Sequence, residues 1–383
     1  MNLTPGSTST VRGTVRQLNI GLLPVEDSAV DQLASRVGAK WENLRAARER
    51  AVIKRDLLRS DLSEFETSDC SIVVFGSLGR DEFTPGSDLD WTLLVDGYAD
   101  PAHLDVALAI KRTLEEKGHK PPGREAVFGS LAFSHELIHQ IGGQDDTNAN
   151  TTRRILLLLE SAVIGKAEAR RRVISKILYR YLKEDRGLWH GSAEFKVPRF
   201  LLNDIARYWR TMAVDFASKQ RARGNEGFAM RNVKLRLSRK LIFISGLLAC
   251  FSCHLDLSEE RREQVYAQAE VQPLIEHLQR RLELTPVESL ASELLKYQEL
   301  DESSSRLFKA YDDFIGILAD ESLSVHGKSP RHHLEQLTVD ELENDSLFQE
   351  ARDISHRFRD AVREIFLRSK TDLASMTIEY GVF

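Results

Sequence analysis

Residues 71–95 constrain this chain more than any other stretch. Ser71-Ile-Val-Val-Phe75 is a short β-branched run closed by Gly76, which is a strand signal. Asp88-Leu-Asp-Trp-Thr-Leu-Leu-Val95 reads as a second strand, closed by Asp96-Gly97. Between them Gly76 to Ser87 is polar and turn-rich, with three glycines and Pro85. Side chains of a strand alternate between faces, so Asp88 and Asp90 point one way. Leu89, Trp91, Leu93 and Val95 point the other way and can bury against helices. Two carboxylates on one face repel each other, and a divalent cation is the natural resolution. Gly76 lets the backbone approach a ligand closely, and the amides that follow can cradle phosphate oxygens with the Ser77 hydroxyl. Arg80 is near enough in sequence to add positive charge there. Together these residues suit a metal-bound triphosphate.

The rest of the chain predicts an α+β protein with a small mixed-sheet core and a large all-helical remainder. Residues 1–26 read as irregular. Residues 27–67 read as one long helix or two, with Val30, Leu33, Val37, Trp41 and Leu44 at helical spacing. A helix is expected over 101–117, a Pro/Gly-rich loop over 118–130, and a third strand from Leu131 to Ile138. Beyond it helices are expected over 153–164, 167–183, 198–222, 230–252, 257–282, 286–297, 303–320 and 346–369. The implied division is an N-terminal part (1–67), a core (68–165) and a helical region with a tail (166–383). The composition is 42% hydrophobic and the net charge −5, enough apolar material for a core and no global basic field. Three cysteines are too few for a disulfide framework. Cys250-Phe-Ser-Cys253-His254 matches a haem-attachment pattern formally, but it lies in an apolar run and reads as buried thiols. With no apolar leader and no run of transmembrane length, a soluble cytoplasmic protein is expected.

Gly76-Ser77, ten intervening residues, then Asp88-x-Asp90 opening the next strand resembles the signature of the polymerase-β nucleotidyltransferase superfamily. The resemblance covers about residues 70 to 165. It implies catalysis with two metal ions, Mg2+ or Mn2+, held by Asp88, Asp90 and a third carboxylate on a later strand. Glu136, in Phe133-Ser-His-Glu-Leu-Ile138, is the first candidate; glutamate there departs from the commoner aspartate. Asp145 and Asp146, past Gly142-Gly143, are its rivals.

The helical region adds a densely basic stretch, Arg231-Asn-Val-Lys-Leu-Arg-Leu-Ser-Arg-Lys240. On a helix Arg231, Lys234 and Ser238 form one stripe, and Arg236, Arg239 and Lys240 another. The first stripe is read as a cationic wall for nucleotide binding. Asn203, Arg207 and Arg210 share a face that could orient a base, or be amphipathic helix with snorkelling arginines. His135 and His139 are read as structural. The C-terminal Ser375-Met-Thr-Ile-Glu-Tyr-Gly-Val-Phe383 is apolar and hydroxyl-bearing, and Tyr380 is a candidate priming hydroxyl.

The resemblance thus implies template-independent transfer of NMP or dNMP from a nucleoside or deoxynucleoside triphosphate to a hydroxyl. A small core with a large helical extension is similar to bacterial signalling, toxin and phage-defence nucleotidyltransferases. It resembles the enzyme of Hailong-type systems, which make DNA oligonucleotides and have a membrane effector protein as partner. Nucleotidylation of a protein, tRNA or small molecule, or a catalytically silent nucleotide-binding scaffold, remain alternatives. Homo-oligomerisation is left open.

Overall fold

The computed structural model describes residues 28–122, 128–191, 194–222, 227–323, 325 and 327–381. The irregular segment expected over 1–26 and the terminal Phe383 lie outside these residues. Two N-terminal helices, α1 (Ala29–Arg36) and α2 (Glu42–Asp61), lead into β1 (Cys70–Val74), the short turn α3 (Gly76–Gly79), β2 (Trp91–Val95) and α4 (Ala102–Glu116). Next come β3 (Ser130–Phe133), α5 (Ser134–His139), α6 (Asn148–Leu159) and β4 (Ala162–Ile164). The remainder is helical: α7 (Glu168–Lys183), α8 (Arg186–His190), α9 (Arg199–Ala222), α10 (Phe228–Lys234), α11 (Lys240–Leu255) and α12 (Glu259–Ala267). It continues through α13 (Val271–Leu282), α14 (Pro286–Leu294), α15 (Asp301–Ala319), α16 (Pro330–Gln336), α17 (Ser346–Arg363) and α18 (Asp372–Met376).

The sheet has strand order β3-β2-β1-β4. β1 is antiparallel to β2 and β4, and β2 is parallel to β3 through the α4 crossover, so the sheet is mixed. Alternation along β1 and β2 sorts its two faces. Ile72, Val74, Leu89, Trp91, Leu93 and Val95 pack with Ala51 and Leu58 of α2 and Ile110 and Leu114 of α4. Val73, Phe75 and Leu94 face a larger cluster that runs on into α7, α9, α11 and α15. Cys250 and Cys253 are free thiols buried in that second cluster.

Three expectations change. Asp88 and Asp90 precede β2, which begins at Trp91, although the alternation carries back through buried Leu89. The third strand ends at Phe133, and Ser134–His139 turn into helix α5. Glu136 is therefore helical, with none of the strand alternation assumed for it. His135 and His139 become an i, i+4 pair with ring centroids 4.6 Å apart. The helix expected up to Ile164 breaks at Glu160, and its last residues form β4. The leucine-rich run keeps its helix as far as Leu159, but β1 needs an edge partner for Ile72 to Val74, and Ala162–Ile164 supply it.

Strand β4 closes against the α3 turn so tightly that a Cβ at Gly79 would lie 2.1 Å from the Glu160 carbonyl oxygen. That neighbour is backbone and cannot swing away. Gly79→Ala should therefore destabilise by about 1–3 kcal/mol, the range for overpacking. Urea unfolding of the two proteins checks this; equal midpoints would show that the turn and β4 are free to separate.

Candidate active site

The α3 turn and the segment before β2 meet at one end of the sheet. Phe75 N–H donates to the Asp90 carbonyl at 2.9 Å, which sets the Gly76 turn beside the carboxylate pair. Gly76 has φ +64, and a Cβ there would stand 3.0 Å from Asp90 Oδ2. Any other residue would be strained in this left-handed conformation and would crowd the carboxylate. A cleft of about 350 Å³ opens here, with Gly76, Ser77, Asp88 and Asp90 on one wall. The other wall comes from the helical part: Arg231, Lys234, Leu235, Ser238 and Arg239 from the α10–α11 rod, and Arg331 from α16. Thus the Gly-Ser turn, the Asp pair and the basic stripe, more than 140 residues apart in sequence, face each other.

Residues 55–132 match the family model of the nucleotidyltransferase domain. The chain carries a polymerase-β-type nucleotidyltransferase domain. No curated protein matches the chain. The nucleotidyltransferase match contains Gly76, Ser77, Asp88 and Asp90, and ends at Ala132, before Glu136 and all of the cationic wall.

The carboxylate pair fits a cation. Lys120 Nζ lies 2.6 Å from Asp88 Oδ1 and also donates to the Gly86 carbonyl at 3.1 Å. Its side chain is half exposed, so it is an ammonium free to yield where a metal ion would share the same oxygen. Sequence reasoning misses Lys120, which lies in a loop held along the Asp88–Asp90 segment by Leu89 N–H to the Lys120 carbonyl, 3.1 Å.

Arg80 is placed differently from its expected role. It borders the cleft, but its guanidinium is buried between Glu82 (Nε to Oε2, 2.8 Å) and Glu160. Burial works against its charge, and the two carboxylates outweigh that and hold it protonated. Its charge is neutralised by the scaffold, where a phosphate contact was expected. Glu82 also accepts from Tyr311 of α15 at 2.7 Å.

Glu136 does not line the cleft, because the helical turn at Ser134 carries it away from the strand end. Its rivals fare no better. Asp146 is buried and bound to Arg154 (2.8 Å), which Asp204 and Tyr181 also hold, while Arg207 donates to it at 3.2 Å. This network explains Arg207 as structural. Asp145 is exposed outside the cleft. The segment entering β3 brings Phe128 to the cleft beside Asp90, packed on Phe75 at 4.9 Å. The further cleft carboxylate outside the Arg80 network is Asp215 of α9. No periodicity in the α9 sequence singles it out.

Tyr380 is also elsewhere. It is 5% exposed, sits in a π-helical turn after α18, and is covered by Phe195 and by the Arg199 guanidinium 5.4 Å from its ring. The apolar character that makes the tail conspicuous serves packing. Arg239 moves the opposite way, from the second basic stripe to the cleft wall. A π-helical turn over Leu235–Arg239 adds about one residue per turn and rotates it there.

Lys234 is half-buried in the cationic wall, and its pKa is pushed down to about 8, first by burial and then by Arg331. Glu335 and Asp88 act in the other direction. The ammonium is therefore present below that pH and lost above it. Triphosphate affinity should fall as pH is raised through about 8. Lys234→Arg should flatten that dependence, and Lys234→Ala should weaken binding near neutrality by about 1.5–3 kcal/mol. Calorimetric titrations across the pH range check both; wild-type affinity in Lys234→Ala would remove Lys234 from the phosphate wall.

Proposed function

We propose that the protein is a metal-dependent, template-independent nucleotidyltransferase that moves NMP or dNMP from a triphosphate to a hydroxyl acceptor. The observation that carries this reading is the single cleft between the Asp88/Asp90 pair and the Arg231, Lys234, Arg239 and Arg331 wall. Carboxylate oxygens suit Mg2+ or Mn2+, and the opposing cations suit a polyphosphate. Bound there, the metal would lower the pKa of the acceptor hydroxyl and offset charge on the leaving pyrophosphate. Gly76 and Ser77 would take phosphate oxygens at the sheet edge. Lys234 and its neighbours would hold the terminal phosphates, while Phe128, Met212 and Phe216, which also line the cleft, offer apolar surface for a base. Asp215 would be the third acidic group, reaching in from α9 in place of a strand residue. Positioning and electrostatics, without a covalent intermediate, would supply the rate.

The small core with its large helical extension supports a place among signalling, toxin or defence nucleotidyltransferases, with an oligonucleotide as product. Among the described residues no single helix is long and apolar enough to cross a membrane.

Incubation with each labelled NTP and dNTP plus Mg2+ or Mn2+ tests the reading. Transfer to nucleotide should give a ladder, and transfer to a macromolecule a labelled band. Asp88→Ala with Asp90→Ala should abolish both and leave the melting temperature unchanged or higher, since carboxylate repulsion is relieved. Asp215→Asn should lower turnover far more than triphosphate affinity, whereas Glu136→Gln should change neither. Full transfer by the double variant would sink the assignment.

A further inference from the structure

The rod that lines the cleft carries a second charged surface on another side. Along Phe228–Leu255, Val233, Leu237 and Leu241 are buried, and Lys234, Ser238 and Arg239 face the cleft. Arg236 and Lys240, four residues apart, face α17, which packs on this segment. Burial and then the neighbouring arginines lower the pKa of both: Arg352 and Arg359 act on Arg236, and Arg359, Arg236 and Arg363 on Lys240. On α17, Arg352, His356, Arg359 and Arg363 recur at spacings of four, three and four, which is one helical face. The opposite face buries Phe348, Ala351, Ile354 and Phe358.

The charge on this ridge is poorly balanced. Arg236, Lys240, Arg352, Arg359 and Arg363 put five cations on it, in a chain whose net charge is −5, while Arg357 of the same helix turns to Asp313 at 3.1 Å. Arg359 pairs with Asp360 at 2.9 Å, and Asp353 lies near His356. Among the described residues Arg236, Lys240, Arg352 and Arg363 have no carboxylate partner. Like charges gathered this way repel each other unless a polyanion neutralises them.

We propose that this ridge binds a single-stranded oligonucleotide, the acceptor or growing product of the transfer reaction, and leads its end to the cleft. The partner's class follows from the chemistry. Arginine forks match phosphate oxygens better than they match point anions. Arg352 to Arg363 spans about 16 Å of helix, enough for several consecutive backbone phosphates. The rod that forms one side of the ridge also forms a wall of the cleft, so a strand along the first has its terminus beside the second. A membrane surface fits less well, because it needs an apolar face beside the charges. No large apolar side chain of Phe228–Leu255 or of α17 is exposed. The proposal takes its acceptor from the function proposed above, but binding can be measured without triphosphate, so the two fail separately.

The test is fluorescence anisotropy of a short labelled single strand, DNA and RNA in parallel, against the full chain over a range of salt concentrations. Wild type should bind with an affinity that falls steeply with salt. Arg352→Glu/Arg359→Glu/Arg363→Glu should weaken binding at least about tenfold and reduce the salt slope by about two, since each lost contact removes about 0.7. These arginines are exposed, so the fold should hold, and triphosphate affinity at the cleft should stay at the wild-type value. The milder Arg352→Gln/Arg363→Gln should give an intermediate loss. No oligonucleotide binding by wild type, or equal binding by the charge-reversed variant, would overturn the proposal. So would a charge-reversed variant that loses only its binding to phosphatidylserine vesicles. Loss of oligonucleotide binding in a protein that shows no transfer would keep the ridge and discard the reaction.

Discussion

The buried guanidinium of Arg80 is the interaction on which the rest depends. It sits at the end of the α3 turn and is held by Glu82 from the same loop and Glu160 from the break between α6 and β4. Tyr311 joins Glu82 to α15, and Arg239 approaches Glu160 at 3.6 Å from the cleft wall. One ion cluster therefore ties the phosphate turn, the edge strand and the helical part together. A buried charge is tolerated only while its partners are complete, and losing one partner of such a group typically costs about 3–5 kcal/mol. The cluster thereby makes the relative position of the two cleft walls a property of the fold, and no flexible loop is needed to align them.

With the walls fixed, the cleft is organised by opposite charge. Asp88 and Asp90 repel each other on one side, and Lys234, Arg239 and Arg331 do so on the other. Lys120 offsets part of the charge at Asp88, and burial, with Arg331 second, lowers the pKa of Lys234. In the proposed function both sides would be relieved by one ligand class, a polyphosphate with a divalent cation. The same reasoning applies at the α17 ridge, where among the described residues Arg236, Lys240, Arg352 and Arg363 have no carboxylate partner. There the missing anion would belong to a polymer, because the charges form a line where the cleft has a pocket.

Much of this is legible in the sequence, and its limits have physical causes. The strand runs, the Gly76 turn and the Asp88/Asp90 alternation are local patterns whose period is set by backbone geometry. The basic stretch 231–240 announces itself by composition. Glu136 is misplaced because Phe133-Ser-His-Glu-Leu-Ile138 fits a strand or a helix equally over so short a run, and only the neighbours decide. The fourth strand escapes for the same reason: three residues become a strand when β1 offers them hydrogen bonds. Arg80 carries the right charge at the right place in sequence, but its partner Glu160 is 80 residues away.

The sequence by itself determined the polymerase-β-type core, since a Gly-Ser turn and a spaced Asp pair are dictated by steps of one and two residues. Only the tertiary structure decided which cations face the pair, which further carboxylate lines the cleft, and that Tyr380 is buried against Phe195 and Arg199. Those outcomes depend on long-range contacts: the π-helical turn that rotates Arg239, the α16 position that brings Arg331 to the cleft, and the α9 path that brings Asp215. A side chain's type is written in the chain, but its electrostatic partner is chosen by packing, and in this protein the partners make the site.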